Sequence, residues 1–204
     1  MTSAGPELRA QFRERLDEHQ AVMAAVRDGL VLDAAARAAD AVTASVRAGG
    51  KLILFGNGGS AADAMHLAAE FLGRFLIDRR PLPALALADN HSALTAIGND
   101  FGYGEVFSRQ IQGLGRPGDV AWGLSTSGGS ANVAAGLTAA RAAGLVTVAM
   151  IGAEPGIVGA AADIVISIPS RATPRIQEAH LLLGHIVCEA VEQAIVAGET
   201  AVPA

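Results

Sequence analysis

The stretch KLILFGNGGSAADAMHLAAEF, residues 51–71, decides the fold. Leu52–Phe55 are apolar without alternation, the pattern of a strand buried on both faces. Gly56-Asn57-Gly58-Gly59-Ser60 follows, where glycines let the backbone turn tightly and approach a ligand closely. The next residues, AADAMHLAAEF, have helical character. Ser60 is placed to act as N-cap, and Asp63 three residues on completes a capping-box-like pattern. A strand, a Gly-rich turn and a helix in this order present a row of free N–H groups to an anion. Taken alone, the loop is explained equally well as a tight strand-to-helix turn. It lacks the Lys of a P-loop and the GxGxxG of a dinucleotide fold, which disfavours ATP and NAD.

The same rhythm continues outward. Short apolar runs stand at 51–56, 82–88, 119–125, 145–152 and 163–169, with helical segments at about 60–76, 91–112, 130–143, 155–162 and 174–196. Strand-helix alternation with near-continuous apolar strands predicts an α/β fold: a doubly wound, five-stranded parallel sheet with helices on both faces. Ligands in such sheets gather at the carboxyl ends of the strands, near the switch point of strand order. Upstream, residues 7–48 read as two helices that end at Gly49-Gly50. They need a partner to cover their apolar faces, and a subunit interface is favoured over the domain itself. With 204 residues and no repeat or break in composition, the chain reads as one domain over 1–204, with 49–196 as the α/β core.

Composition narrows the function classes. The net charge is −5 and the basic residues are scattered, which argues against a nucleic-acid footprint. No apolar run reaches the roughly 18–20 residues needed to cross a bilayer, and the charged N-terminus is unlike a signal peptide. A cytoplasmic location without membrane contact is the expectation. The single cysteine, Cys188, lies in an apolar helical pattern and reads as an inert thiol.

A second loop repeats the first. Ser125-Thr126-Ser127-Gly128-Gly129-Ser130 ends the third strand and opens a helix. Four hydroxyls at Ser125, Thr126, Ser127 and Ser130 suit the oxygens of a phosphate. The helices add chemistry. His66 and Glu70 are four apart and project from one face. On the last helix Gln177 and His185 are eight apart, about 80° around the axis, and share a broad face; His180 lies about 140° from His185. Pro174 fits the first helical position with Thr173 as N-cap. Two imidazoles, a carboxylate and an amide oxygen could ligate a divalent metal such as zinc, or could transfer protons.

GNGGSAADAMHLAAEFLGRF, IGNDFGYGEVFSRQI, GDVAWGLSTSGGSANV and RIQEAHLLLGHIV together resemble the sedoheptulose 7-phosphate isomerase family of sugar-isomerase (SIS) domains. The resemblance runs from about Gly49 to Val196. It implies a homotetramer that converts sedoheptulose 7-phosphate to D-glycero-D-manno-heptose 7-phosphate through an enediol, with one zinc per subunit. It further implies that Asn57, Gly58, Gly59, Ser60, Asn99, Asp100, Ser125, Thr126, Ser127, Ser130, Glu70 and Gln177 contact the substrate. His66, Glu70, Gln177 and His185 would bind zinc, with Glu70 and His185 also the acid/base pair. Arg74 matches a family Arg that could contact phosphate or support the site. Two positions depart: Gly129 stands where the family loop usually has Asn, and Pro174 where some members carry Asp. Two other readings share the fold: an isomerase of a different sugar phosphate, and a non-catalytic SIS protein that senses a sugar phosphate or binds a partner. Retention of His185 and Glu70 favours an enzyme.

Overall fold

Each of the five apolar runs forms a strand, because unbroken aliphatic stretches bury both faces only inside a covered parallel sheet. The computed structural model describes residues 5–200. Its strands are β1 (Leu52–Gly56), β2 (Ala84–Ala86), β3 (Val120–Ser125), β4 (Val146–Ile151) and β5 (Ile164–Ser167). All pairings are parallel, in the order β2-β1-β3-β4-β5. Chain order reverses between β1 and β3, so the switch point lies between the two strands that carry the Gly/Ser loops. Their register, Leu52 beside Val120 through Gly56 beside Leu124, brings both loops to the same edge.

Side chains alternate between two cores. Leu52, Leu54, Val120, Trp122 and Leu124 pack under α1 (Pro6–Arg27), α2 (Val31–Arg47), α3 (Gly59–Leu72) and α8 (Thr173–Thr200). Ile53, Phe55, Ala121 and Ala149 face α5 (Ser108–Leu114), α6 (Ala131–Ala142) and α7 (Gly156–Ala160). The predicted doubly wound arrangement is therefore the observed one. The first four and last four residues of the predicted 1–204 domain lie outside the described residues.

Several local expectations change. The single helix expected at 91–112 is three pieces: α4 (His91–Phe101), a 3₁₀ turn at Tyr103–Glu105, and α5. Gly102 sits at φ 88° and breaks it, a backbone state that favours glycine. The helix expected to reach residue 76 ends at Leu72. The N-cap of α3 is Gly58, not Ser60; Ser60 is buried inside the first turn, and Asp63 makes no capping box. The last helix begins at Thr173, one residue earlier than expected. The N-terminal helices are not simply set aside for a neighbour. Ala38 and Val42 of α2 are fully buried within the protomer, whereas Leu8, Phe12 and Leu16 of α1 are exposed.

By length and composition, Thr173–Gly198 could cross a membrane, with mean hydropathy 1.5. In the fold this helix lies against α2 and α3 as core, burying Ile176, Ala179, Leu183, Val187, Val191 and Ile195. α3 and α8 touch along matching positions. A Cβ on Gly184 would lie 2.6 Å from Leu67 Cδ1, so any larger residue there forces the buried Leu67 side chain to move. That contact sets the spacing of the side chains next to it.

Candidate active site

Both loops end as helix N-termini without side-chain caps. Gly58 caps α3 at φ 55° and ψ −122°, a conformation suited to glycine, which turns the chain sharply out of β1. Ser130 caps α6, yet its Oγ lies 2.9 Å from Ser125 Oγ rather than bonding the helix's first N–H groups. Those N–H groups are left for a ligand. Ser127 Oγ accepts the Gly129 N–H at 3.2 Å and shapes the turn. Ser125 is buried, Thr126 and Ser130 half-buried, and Ser127 exposed, so the four hydroxyls step from interior to solvent at one strand end.

The loops are joined by side chains. Asn57 Nδ2 donates to Asn132 Oδ1 at 2.8 Å, and Asn132 Nδ2 donates back to Asn57 Oδ1 at 2.9 Å. The Tyr103 hydroxyl donates to the same Asn57 Oδ1 at 3.1 Å. Asn99 and Asp100 are exposed on α4, where Asn99 Nδ2 donates to Asp100 Oδ1 at 2.8 Å. Gln177 lies against Gly59, where a Cβ would collide with its amide. Of the residues assigned to substrate, Asn57, Gly58, Gly59, Ser60, Ser125, Thr126, Ser127, Ser130 and Gln177 thus gather around the two loops.

Two turns further along α3 and α8, a second group forms. His66 Nε2 lies 2.9 Å from His185 Nε2 and 3.4 Å from Glu70 Oε1. One donor atom from each of the three falls within 4.8 Å of the others. Two donors on a tetrahedral ion at about 2.0–2.1 Å are roughly 3.3 Å apart, so the cluster fits a single zinc-sized ion. Gln177 does not join it within the protomer. Eight residues at about 1.5 Å each place it about 12 Å along α8 from His185. The shared face expected for Gln177 and His185 is real, since both lean on α3, but one meets its start and the other its middle.

The cluster is braced from behind. The Phe75 ring stacks on His185, centroids 5.4 Å apart at 26°. Glu192 Oε1 accepts the Phe75 N–H at 2.9 Å, and its Oε2 accepts those of Leu76 and Ile77 at 2.7 and 2.9 Å. Arg79 Nε lies 3.1 Å from Glu192 Oε1, and its Nη2 donates to the Glu70 carbonyl at 2.9 Å. Burial pushes the Glu192 carboxyl up, but the three N–H bonds and the Arg79 charge outweigh it and hold it below the usual carboxylate range. Arg74, by contrast, is exposed.

Other titratable groups are quieter. Burial pushes His180 down to about 4, against the opposing bond of its Nε2 with the Ile151 carbonyl at 3.2 Å, so it stays neutral and structural. Burial, aided by the Glu70 charge, raises Cys188 to about 12, an inert thiol as expected. Burial also raises the Asp63 carboxyl, opposed by His66. Asn132, Tyr103, Arg79 and Glu192 were not singled out in the sequence. Asn132 and Tyr103 stand inside quoted motifs, and Glu192 is an acid on the apolar face of α8, the one signal that could have flagged it.

An open parallel sheet with paired Gly/Ser loops at its switch point defines a phosphate-binding α/β class, and residues 16–152 match the family model described as SIS domain. The phosphoheptose isomerase of Rhodospirillum rubrum is 52% identical over 170 residues, 83% of this chain and 90% of the relative. That of Burkholderia pseudomallei is 51% identical over 179 residues, 87% and 91% of the two chains. The solved phosphoheptose isomerase of Neisseria gonorrhoeae superposes with TM-score 0.86 at 38% identity, covering 91% of this chain and 99% of that one. That of Francisella tularensis gives TM-score 0.87 at 30% identity, covering 95% and 100%. The chain belongs to the phosphoheptose isomerase family of SIS domains.

Proposed function

We propose that the chain is a cytoplasmic aldose-ketose isomerase converting sedoheptulose 7-phosphate to D-glycero-D-manno-heptose 7-phosphate, the first step of nucleotide-activated heptose biosynthesis. The observation that carries this is the convergence of His66, Glu70 and His185 on α3 and α8, with the first loop at the start of α3 and Gln177 of α8 lying against it. Family membership supplies the seven-carbon phosphate as substrate.

Isomerisation moves a proton between C1 and C2 through an enediol, and it needs a base at carbon and a proton carrier at the two oxygens. Glu70 takes the carbon proton and His185 serves the oxygens. The Ser125–Ser130 loop and the α3 and α6 N-termini hold the phosphate, and Gln177 and Asn57 orient the sugar between them. Anchoring the far end makes proton transfer a positioned, effectively intramolecular event. Asn99 and Asp100 reach the sugar from α4, beside the Tyr103 contact.

His66, Glu70 and His185 have the donor chemistry and spacing for one zinc per subunit; Gln177 of the same protomer stays with the loops. When bound, zinc would polarise a sugar oxygen and stabilise negative charge on it. A homotetramer suits the apolar stripe of Leu8, Phe12 and Leu16 on α1 and the exposed Leu182 and Ile186 on α8. The test is incubation with sedoheptulose 7-phosphate, with and without chelator, followed by NMR. Formation of the aldose and proton exchange at C1/C2 support the reading; no exchange with any ketose phosphate would sink it.

A further inference from the structure

The reciprocal amide pair ties the first loop to the helix that leaves the second. Asn132 is 5% exposed, in the first turn of α6. A carboxamide oxygen has two lone pairs and its nitrogen two hydrogens. Asn57 Oδ1 receives Asn132 Nδ2 at 2.9 Å and the Tyr103 hydroxyl at 3.1 Å, which fills it. Asn57 Nδ2 gives one hydrogen to Asn132 Oδ1 at 2.8 Å and keeps one.

We infer that Asn132 is a positioning residue: together with Tyr103 it holds the Asn57 amide in place, so that its remaining N–H is presented to the bound ligand. This rests on the proposed reading that Asn57 touches the sugar phosphate. A donor there pairs with any phosphate, carbonyl or hydroxyl oxygen. Tyr103, on the segment after α4, is the second clamp, so three separate motif segments meet at one amide.

The test is a double-mutant cycle read in KM and kcat for sedoheptulose 7-phosphate, with thermal unfolding of each protein. Asn132→Asp keeps the size and the acceptor but loses the donor to Asn57. Removing a bond that orients a group on a charged ligand should raise KM about 10–100-fold while kcat changes less than about threefold. In an Asn57→Ala background the same change should add nothing, because Asn132 acts through Asn57. Tyr103→Phe, at an exposed residue, removes only the phenolic oxygen and should raise KM about two- to fivefold with an unchanged melting temperature. It keeps the question answerable if N132D fails to fold. A KM within twofold of wild type in N132D, or an equal rise in both backgrounds, overturns the inference, the latter by showing direct repulsion of the phosphate. An Asn57→Ala variant with wild-type KM instead overturns the reading that Asn57 touches substrate. A wild-type chain without turnover overturns the proposed function itself.

Discussion

Replacing Glu192 by Gln removes one oxygen from a site built for two. In the native fold the carboxylate takes three N–H donors, Phe75 on Oε1 and Leu76 and Ile77 on Oε2, and pairs with the Arg79 guanidinium 3.1 Å from Oε1. The Glu192 and Arg79 side chains are 1% and 2% exposed, so water cannot take over. Whichever way a glutamine amide turns, its NH₂ faces at least one backbone N–H, and the Arg79 guanidinium loses its charge partner. Breaking one side of a buried pair costs about 3–5 kcal/mol. For a chain of this size each kcal/mol is worth roughly 2–4 °C, so the melting temperature at pH 7 should fall by about 6–20 °C. The pH dependence carries a sign. A carboxyl whose folded pKa lies below its unfolded value, about 4.3, stabilises the fold above that value and loses the contribution as pH falls through the folded pKa. Glu192 is shifted downwards, so the gap between wild type and Glu192→Gln should be full at pH 7, begin to narrow near the unfolded value, and close as the pH falls through the lower folded value. Differential scanning calorimetry from pH 7 to pH 3 measures both. Equal melting at pH 7, or a gap that widens on acidification, would refute the assignment of the brace. Because residues 75–77 hang from Glu192 and Phe75 stacks on His185, turnover should fall along with stability.

Three other outcomes are expected. Glu70→Gln or His185→Gln should cut turnover by at least about 100-fold, the usual range of general acid–base catalysis; near-normal rates in purified protein would remove both from the chemistry. Gly184→Ala places a Cβ 2.6 Å from Leu67 Cδ1, and the overpacking should cost about 1–3 kcal/mol in urea unfolding while pushing His185 away from His66. Gly129→Ala should be neutral or stabilising by up to about 1 kcal/mol, since Gly129 has no positive φ and its nearest neighbour to a new Cβ is Ser127 Oγ at 3.6 Å; a marked loss of stability would show the loop differs from this description.

The sheet and its ligand edge are legible in the chain's local pattern. Unbroken apolar runs such as Leu52–Phe55 have no stable place except a covered parallel strand, and Gly/Ser clusters at two strand ends mark where the backbone must open towards a ligand. Pairing of His66 with Glu70 followed from helical spacing alone, and the quoted motifs carried the family. Boundaries were less legible: Gly102 splits what periodicity reads as one helix, and Gly58 takes the cap that Ser60 promised, because backbone dihedrals are set by how the chain leaves the sheet. Which groups meet across elements depends on how the helices pack. Gly184 brings α8 close enough to α3 to set His185 against His66, while the same parallel packing carries Gln177 to Gly59 instead. Asn57, Asn132 and Tyr103, like Arg79 and Glu192, lie far apart in the chain, and no local pattern encodes a contact whose partners are chosen by packing.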